Sequence, residues 1–186
     1  MKNQLIITLV SVLFFTATSC KKLINSDKTP DEENELITTV SLLFIDALNS
    51  DTLKFDWSQP GGPGSGIAID TIVLKPNVNY IATISILDES KNPTFNVSGE
   101  IKSDANSHRF IYTPTNANLS IKILDFDTHT PPIELGLSFE AITLGVSQSI
   151  GNFNVVLKHY TESAPKTGGL ANGSTDIEVD FPLVIE

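Results

Sequence analysis

The sequence predicts an all-β fold for residues 36–186 of a chain of 186 residues. Apolar side chains recur at every second position through most of this range, which is the period of a β-strand. Turn-forming residues separate these runs at close spacing, and only one segment suits a short helix. About nine strands of this kind favour an antiparallel, immunoglobulin-like β-sandwich, and a calycin-type β-barrel is the alternative.

The first two predicted strands differ in how their side chains alternate. Residues 36–45 are apolar on both sides, which suits a strand with both faces covered. After a turn, Leu53, Phe55 and Trp57 alternate with polar residues, as in a half-buried strand. The glycine- and proline-rich range 59–66 follows as a loop, and its spacing fits neither a phosphate-binding nor a dinucleotide-binding turn.

The rest of the domain continues as short apolar runs divided by turns. A single short helix is expected within residues 94–107, where Val97 and Ile101 have helical spacing. The further strands are predicted at residues 69–74, 80–87, 109–113, 119–126, 135–144, 153–160 and 177–185.

The amino terminus predicts secretion and lipidation. Lys2 precedes an apolar run of roughly 13 residues, 5–17, which is shorter than the ~20 residues that span a bilayer but suits a signal peptide. Small residues lead to Cys20, the only cysteine in the sequence, in an arrangement that resembles the bacterial lipobox. Residues 1–19 are therefore expected to be removed as a signal peptide. Cys20 is expected to carry acyl chains, palmitate among them, that anchor it in a lipid bilayer.

The residues that follow the lipobox predict a tether and one domain. Residues 20–35 are polar and charged and end in an acidic run, a composition typical of a flexible segment. Residues 36–186 remain as a single domain of ordinary size. The formal net charge of −10 repels nucleic acid, so no nucleic-acid partner is expected.

Several segments of the domain share a pattern with known lipoproteins. They are Leu74–Asn77 with Tyr80, Ile86–Ser90, His108–Pro114, Val156–His159 and Gly173–Pro182. Together they resemble a family of small Bacteroidetes lipoproteins whose function is unassigned. Such proteins are often labelled as having a type 1 periplasmic binding fold, but that fold needs alternating strands and helices in two lobes, which this pattern does not offer. The resemblance implies attachment to the outer membrane, facing the periplasm or the cell surface, and association with an outer-membrane transporter.

The motifs of common enzymes are missing from the sequence: zinc-protease, calcium-loop and paired-cysteine spacings do not occur. We therefore expect a non-enzymatic binding or transport-accessory module of the cell envelope, without a cofactor. A hydrolase with an unmarked active site and a purely structural surface protein are the alternatives.

The best candidate site is built from histidines. His108 is in phase with Phe110, and His159 is in phase with Leu157, so alternation puts both imidazoles on the apolar faces of their strands. His108 begins its strand and His159 ends its own, and antiparallel neighbours bring a start beside an end. We therefore expect both side chains at one end of the sandwich.

Two chemistries are open to this histidine pair. The imidazoles could bind zinc or copper, with further ligands from the loop that holds Asp125, Asp127 and His129. Alternatively, each imidazole caps the core as a separately hydrogen-bonded side chain. Trp57 and Tyr112 are the candidates for contact with an organic ligand, and Trp57 also suits the core.

Overall fold

Two β-sheets form the described part of the chain, which covers residues 36–167 and 172–186 in a computed structural model. The strands are β1 Thr39–Asp46, β2 Thr52–Ser58, β3 Ala68–Ile69, β4 Ile72–Leu74, β5 Asn79–Asp88, β6 Phe95–Asn96, β7 His108–Thr115, β8 Leu119–Ile123, β9 Ser138–Thr143, β10 Gly151–His159 and β11 Ser174–Ile185. The helix α1 is Val97–Ser103, and a 3-10 turn follows it at Ala105–Ser107. The prediction of an all-β sandwich with one short helix is confirmed, and the described residues contain eleven strands where about nine were expected.

The strand order is that of an immunoglobulin-like sandwich. One sheet runs β3-β2-β1-β5-β9-β8, with β6 paired to β5, and the other runs β4-β11-β10-β7. In the constant-type immunoglobulin lettering, β1-β5-β9-β8 takes the positions of strands A, B, E and D, and β7-β10-β11 those of C, F and G. β2 and β3 extend the first sheet beyond the position of strand A. Neither sheet closes on itself within the described residues, so the barrel alternative is wrong.

One strand pair departs from the predicted antiparallel arrangement. β4 runs parallel to β11, with Ile72 beside Leu183. The single strand predicted at residues 69–74 is therefore two short strands, of which β3 pairs with β2 in the first sheet and β4 belongs to the second. The break lies at Asp70, whose carboxylate accepts a hydrogen bond of 2.8 Å from the backbone N–H of Asp56. A bend of this kind lets one run of sequence serve both layers of a sandwich.

The core lies between the two sheets and is built from alternating positions of the long strands. Val40, Leu42 and Phe44 of β1 are fully buried. Phe44 packs edge-on against Phe139 of β9, with ring centroids 6.0 Å apart, and Phe139 lies 6.2 Å from Phe153 in the other sheet. Burial of each large apolar side chain contributes about 1.5–3 kcal/mol to the folded state.

Part of the outer face of β1 is buried, and there the hydroxyl group of Thr39 donates to the carboxylate of Glu89 at 2.7 Å. β1 lies between β2 and β5, and Thr39 and Ser41 on its outer face are buried as well.

The helix α1 buries Val97 and Ile101, which are one turn apart, as their spacing predicts. Among the described residues, no helix has the length and apolarity needed to cross a membrane.

Candidate functional site

The end of the sandwich at which β7 begins and β10 ends brings two histidines together. His108, the first residue of β7, lies directly opposite His159, the last residue of β10, in an antiparallel register. Their rings stack with centroids 4.8 Å apart and planes inclined by 13°. The prediction that both side chains lie at one end is confirmed, because the inward alternation of each strand continues to its terminus.

A β-bulge adds Asp176 to this pair. β11 pairs with β10 on the side away from β7, and there Leu157 is opposite Ile177. The next residue, Lys158, is opposite Thr175, so Asp176 is left over in the register. Regular alternation from Ile177 would point Asp176 outward, whereas the bulge turns its carboxylate towards the two imidazoles. Sequence reasoning missed Asp176 because a strand period of two carries no mark of a bulge.

The three side chains converge on one point at the rim of the core. One ligand atom from each of His108, His159 and Asp176 lies within 4.8 Å of the other two. β10 is the middle strand, so His159 has His108 on one side and Asp176 on the other. His108 is buried, and the other two residues are half-buried. We call this group the histidine cluster.

Hydrogen bonding within the histidine cluster is incomplete. Nδ1 of His108 lies 3.0 Å from the carbonyl oxygen of Asp104, so this nitrogen carries the hydrogen in the neutral ring and Nε2 keeps its lone pair. Among the described residues, hydrogen bonds to histidine rings occur at His108 and His129 but not at His159. Oδ1 of Asp176 is buried and has no hydrogen-bond partner in this part of the chain.

The burial of Asp176 has an electrostatic consequence. Burial raises the pKa of its carboxyl group, and the neighbouring His159, His108 and Lys158 oppose that shift only in part. A buried polar atom without a partner costs about 1–3 kcal/mol. Native proteins keep few such atoms, and an ion or a water molecule is a common reason for one. The histidine cluster therefore holds nitrogen and oxygen atoms whose lone pairs have no hydrogen-bond partner among the described residues.

Asp125, one of the predicted metal ligands, is occupied by backbone groups instead. Its carboxylate accepts hydrogen bonds from the N–H groups of Gly136, Leu137 and Ser138 at 2.9, 3.1 and 3.1 Å. Both carboxylate oxygens are used in this way. Asp125 thus ties the loop after β8 to the start of β9 and is not part of the histidine cluster.

Asp127 and His129 form a separate group with Lys166, which we call the lysine cluster. The Nζ of Lys166 donates to the carboxylate of Asp127 and to the carbonyl oxygen of Ala105, both at 2.9 Å. Nδ1 of His129 donates to the same carboxylate at 2.8 Å, and the backbone N–H groups of His129 and Ile133 complete its partners. The carboxylate that joins the histidine pair is therefore Asp176 and not one of the predicted loop residues.

The contacts of the lysine cluster hold its charges in place. Burial alone would raise the pKa of Asp127, but hydrogen bonds from Ile133, Lys166 and His129 outweigh it and hold this pKa well below its ordinary value. Burial lowers the pKa of Lys166, and the contact with Asp127 opposes that shift. No buried side-chain polar atom of this cluster lacks a partner.

The two aromatic candidates belong to the core and its edge. Trp57 is half-buried on β2 and packs against the core beside Phe55. The hydroxyl group of Tyr112 donates to the carbonyl oxygen of Gly136 at 2.5 Å, and its ring lies 4.3 Å from that of Phe139. Burial raises the pKa of Tyr112 well above its usual range. Tyr112 also lines an open groove of about 360 Å³ between β7 and β8, although its hydroxyl group is already bonded.

Cys20, the predicted signal peptide 1–19 and the predicted tether 20–35 lie outside the described residues. Comparison of the chain with known proteins finds no matching family model, curated protein or solved structure. The function is therefore inferred from the sequence and from the geometry of the histidine cluster.

Proposed function

We propose that this chain is a lipid-anchored protein of the bacterial outer membrane whose β-sandwich is a non-enzymatic binding or transport-accessory module. The lipid bilayer, through acylated Cys20, and an outer-membrane transporter are its proposed partners. The observation that supports a binding role is the histidine cluster, where three polar side chains converge and a buried oxygen of Asp176 lacks a partner among the described residues.

Incomplete hydrogen bonding favours a binding role over a purely structural one. An unpaired buried oxygen costs about 1–3 kcal/mol, which is large beside a domain stability of about 5–15 kcal/mol. The inward positions of β10 that precede His159, Val155 and Leu157, are buried and apolar. An apolar residue at position 159 would continue that core, and one at position 176 would leave no unpaired oxygen. Polar side chains at the end of the strand therefore favour recognition of a ligand.

The contacts of the histidine rings favour binding over hydrolysis by a side-chain nucleophile. The ring of His108 bonds to a carbonyl oxygen, and that of His129 to a carboxylate. Within the described residues, no serine or threonine hydroxyl group bonds to an imidazole. A hydroxyl nucleophile is activated by a base within about 2.6–3.2 Å, so this pattern does not provide a serine–histidine pair.

The anchor is tested by Cys20→Ser in the full-length precursor. Acylation at Cys20 supplies about 0.8 kcal/mol for each CH2 group that enters the bilayer, so the variant should move from the membrane fraction to the soluble fraction and lose the mass of the acyl chains. Ser19→Ala is the matched control, because it keeps a small residue before the cysteine. Membrane retention and an unchanged mass in Cys20→Ser would contradict the anchor.

The binding role is tested on a soluble chain that starts at residue 20 and carries Cys20→Ser. Calorimetry against glycans, haem, metal salts and purified envelope proteins should identify a ligand whose affinity falls at least ~10-fold in His159→Ala, a loss of about 1.4 kcal/mol. Reproducible turnover of a hydrolase substrate that is abolished by a single substitution would contradict a non-enzymatic role.

A further inference from the structure

We infer that the histidine cluster binds one divalent transition-metal ion, zinc or copper(II), through one ring nitrogen of each histidine and the carboxylate of Asp176. This inference rests on the proposed function and names the ligand of the same site. The donor types, their convergence and the backbone contacts around them support it.

Two imidazoles and one carboxylate form a donor set for ions of intermediate softness. Imidazole nitrogen suits zinc and copper(II), and a carboxylate adds a harder oxygen donor with a negative charge. The sequence has no cysteine after Cys20, so the domain lacks the thiolates that copper(I) prefers. The donors therefore favour a divalent ion.

His108 has the hydrogen bond that is typical of a metal-binding histidine. Its Nδ1–H group donates to the carbonyl oxygen of Asp104, and a bond of this kind fixes the tautomer and the orientation of a ligating ring. Nε2 is then the nitrogen that carries the free lone pair. Asp104 lies between α1 and the 3-10 turn, so a short ordered connection holds the ring in place.

The three donors lie on adjacent strands of one sheet. β7, β10 and β11 are hydrogen-bonded neighbours, at the usual spacing of about 4.8 Å. Without the bulge, alternation would place Thr175 on the inner face and Asp176 outside, and the site would have no carboxylate. The bulge thus supplies the third donor, and bulges are enriched beside functional sites for this reason.

Metal binding requires one imidazole ring to rotate out of the stacked arrangement. Donor atoms about 2.0–2.1 Å from a tetrahedral zinc ion lie roughly 3.3 Å from one another, whereas those of the histidine cluster lie within 4.8 Å. An ion also lies near the plane of each imidazole that binds it, and the two stacked rings do not share a plane. His108 is held by Asp104, so rotation of the unbonded ring of His159 closes the site.

Three protein donors leave the coordination sphere open. Tetrahedral zinc takes four ligands, and a site with three protein ligands keeps a position for water or for a group from another molecule. The half-burial of His159 and Asp176 gives that position access from solvent. Such a site suits an ion that is captured and released more than a closed structural site does.

The test is calorimetry with zinc chloride and with copper(II) chloride on the untagged, metal-stripped soluble chain with Cys20→Ser. We expect one ion for each chain. His159→Ala and Asp176→Asn should each weaken binding by more than ~10-fold, because loss of even an outer-shell partner costs about 10–100-fold. Both positions are half-buried, so these variants are expected to fold, and circular dichroism checks that they do. His108→Ala, at a buried position, is a secondary test.

The matched control is His129→Ala, which removes the remaining histidine of the chain and leaves the histidine cluster intact. Its affinity for both ions should equal that of the parent protein. Copper(II) electron paramagnetic resonance gives an independent readout, since the parent should show two coupled imidazole nitrogens and His159→Ala should show one.

Three outcomes would overturn the metal site. The first is no binding by the parent protein. The second is equal binding by the parent, His159→Ala and Asp176→Asn, as expected for an adventitious ion on the four acidic residues within 31–35. The third is an equal loss of affinity in His129→Ala and His159→Ala. The membrane release of Cys20→Ser and the wider ligand screen test the proposed function separately. An intact anchor and another ligand at His159, without metal binding, would reject this inference alone.

Discussion

The histidine cluster and the lysine cluster both combine histidine with aspartate near one end of the sandwich, but they differ in how fully they are hydrogen-bonded. The 3-10 turn Ala105–Ser107 links the two clusters. Its first residue accepts a hydrogen bond from Lys166, and His108 follows its last residue. In the lysine cluster, every buried side-chain polar atom has a partner, whereas Oδ1 of Asp176 in the histidine cluster has none among the described residues.

The pKa values of Asp176 in the histidine cluster and Asp127 in the lysine cluster are also shifted in opposite directions. Burial raises the pKa of Asp176, whereas hydrogen bonds outweigh burial at Asp127 and lower its pKa. The fold therefore stabilises the negative charge of Asp127 and opposes that of Asp176. A saturated polar group is a structural tie, whereas an unsaturated one is open to a water molecule, an ion or another ligand.

Lys166→Met should cause the largest change, because it removes one partner of a buried ion pair. The side chains of Lys166 and Asp127 are 1% and 0% exposed, and a buried charge left without its partner costs about 3–5 kcal/mol. The remaining hydrogen bonds to Asp127 from His129 and Ile133 place the expected loss near the lower limit, about 3 kcal/mol. Urea unfolding measures the change in free energy of unfolding.

Lys54→Met is the matched control for that substitution. Lys54 makes an ion pair of 2.8 Å with Asp56, but these side chains are 57% and 38% exposed. An exposed pair of this kind contributes about 0–1 kcal/mol. Equal losses in Lys54→Met and Lys166→Met would show that the lysine cluster is not a structural tie.

Asp125→Asn should have a smaller effect on stability. An amide offers one acceptor oxygen where the carboxylate offers two, so the N–H groups of Gly136, Leu137 and Ser138 cannot all keep their partner. Loss of a hydrogen bond to a charged group costs about 1.5–3 kcal/mol. Thermal unfolding should show the loss, while Asp51→Asn at an exposed position should change little. An unchanged unfolding temperature in Asp125→Asn would show that the carboxylate of Asp125 does not stabilise the fold.

The sandwich is predictable from the sequence because burial imposes a period of two on each long strand. β5, β10 and most of β11 follow that period. The division of residues 69–74 between two sheets was not predictable, since a bend at Asp70 depends on a hydrogen bond to the distant Asp56. Parallel pairing of β4 with β11 also arises from tertiary contacts that no local pattern contains.

The strand period also predicted the two histidines of the candidate site, but it did not predict Asp176. The phases of His108 and His159 follow from alternation, and their adjacency follows from antiparallel pairing. Asp176 depends on a register shift between two strands, and Lys166 lies in a connection without a strand period. The roles of Asp125 and Asp127 depend on backbone N–H groups that face them only in the folded chain.

Asp176→Asn should have the smallest effect on stability and the opposite sign. In the absence of metal, it replaces a half-buried carboxylate, of which Oδ1 is buried without a partner among the described residues, by a neutral amide of the same shape. We expect the free energy of unfolding at neutral pH to rise by about 1 kcal/mol or less, because the half-exposed site screens part of the charge. Thermal unfolding of both proteins in the presence of a chelator measures the gain.

The pH dependence of that gain tests its cause. A raised pKa means that the folded state holds the proton of Asp176 more tightly than the unfolded state, so the ionised form opposes folding above the ordinary value of 3.8. As the pH falls through the raised pKa towards 3.8, the carboxyl group becomes protonated and the penalty disappears. The difference between Asp176→Asn and its parent should therefore be largest at neutral pH and vanish in acid.

Asp127→Asn should instead lower the stability of the protein. The fold lowers the pKa of Asp127, so this loss should be fully present above pH 3.8, the ordinary pKa of an aspartate, and should decrease only as the pH falls below 3.8. If both variants lost stability at neutral pH, Asp176 would be a structural residue like Asp127, and the contrast between the two clusters would fail.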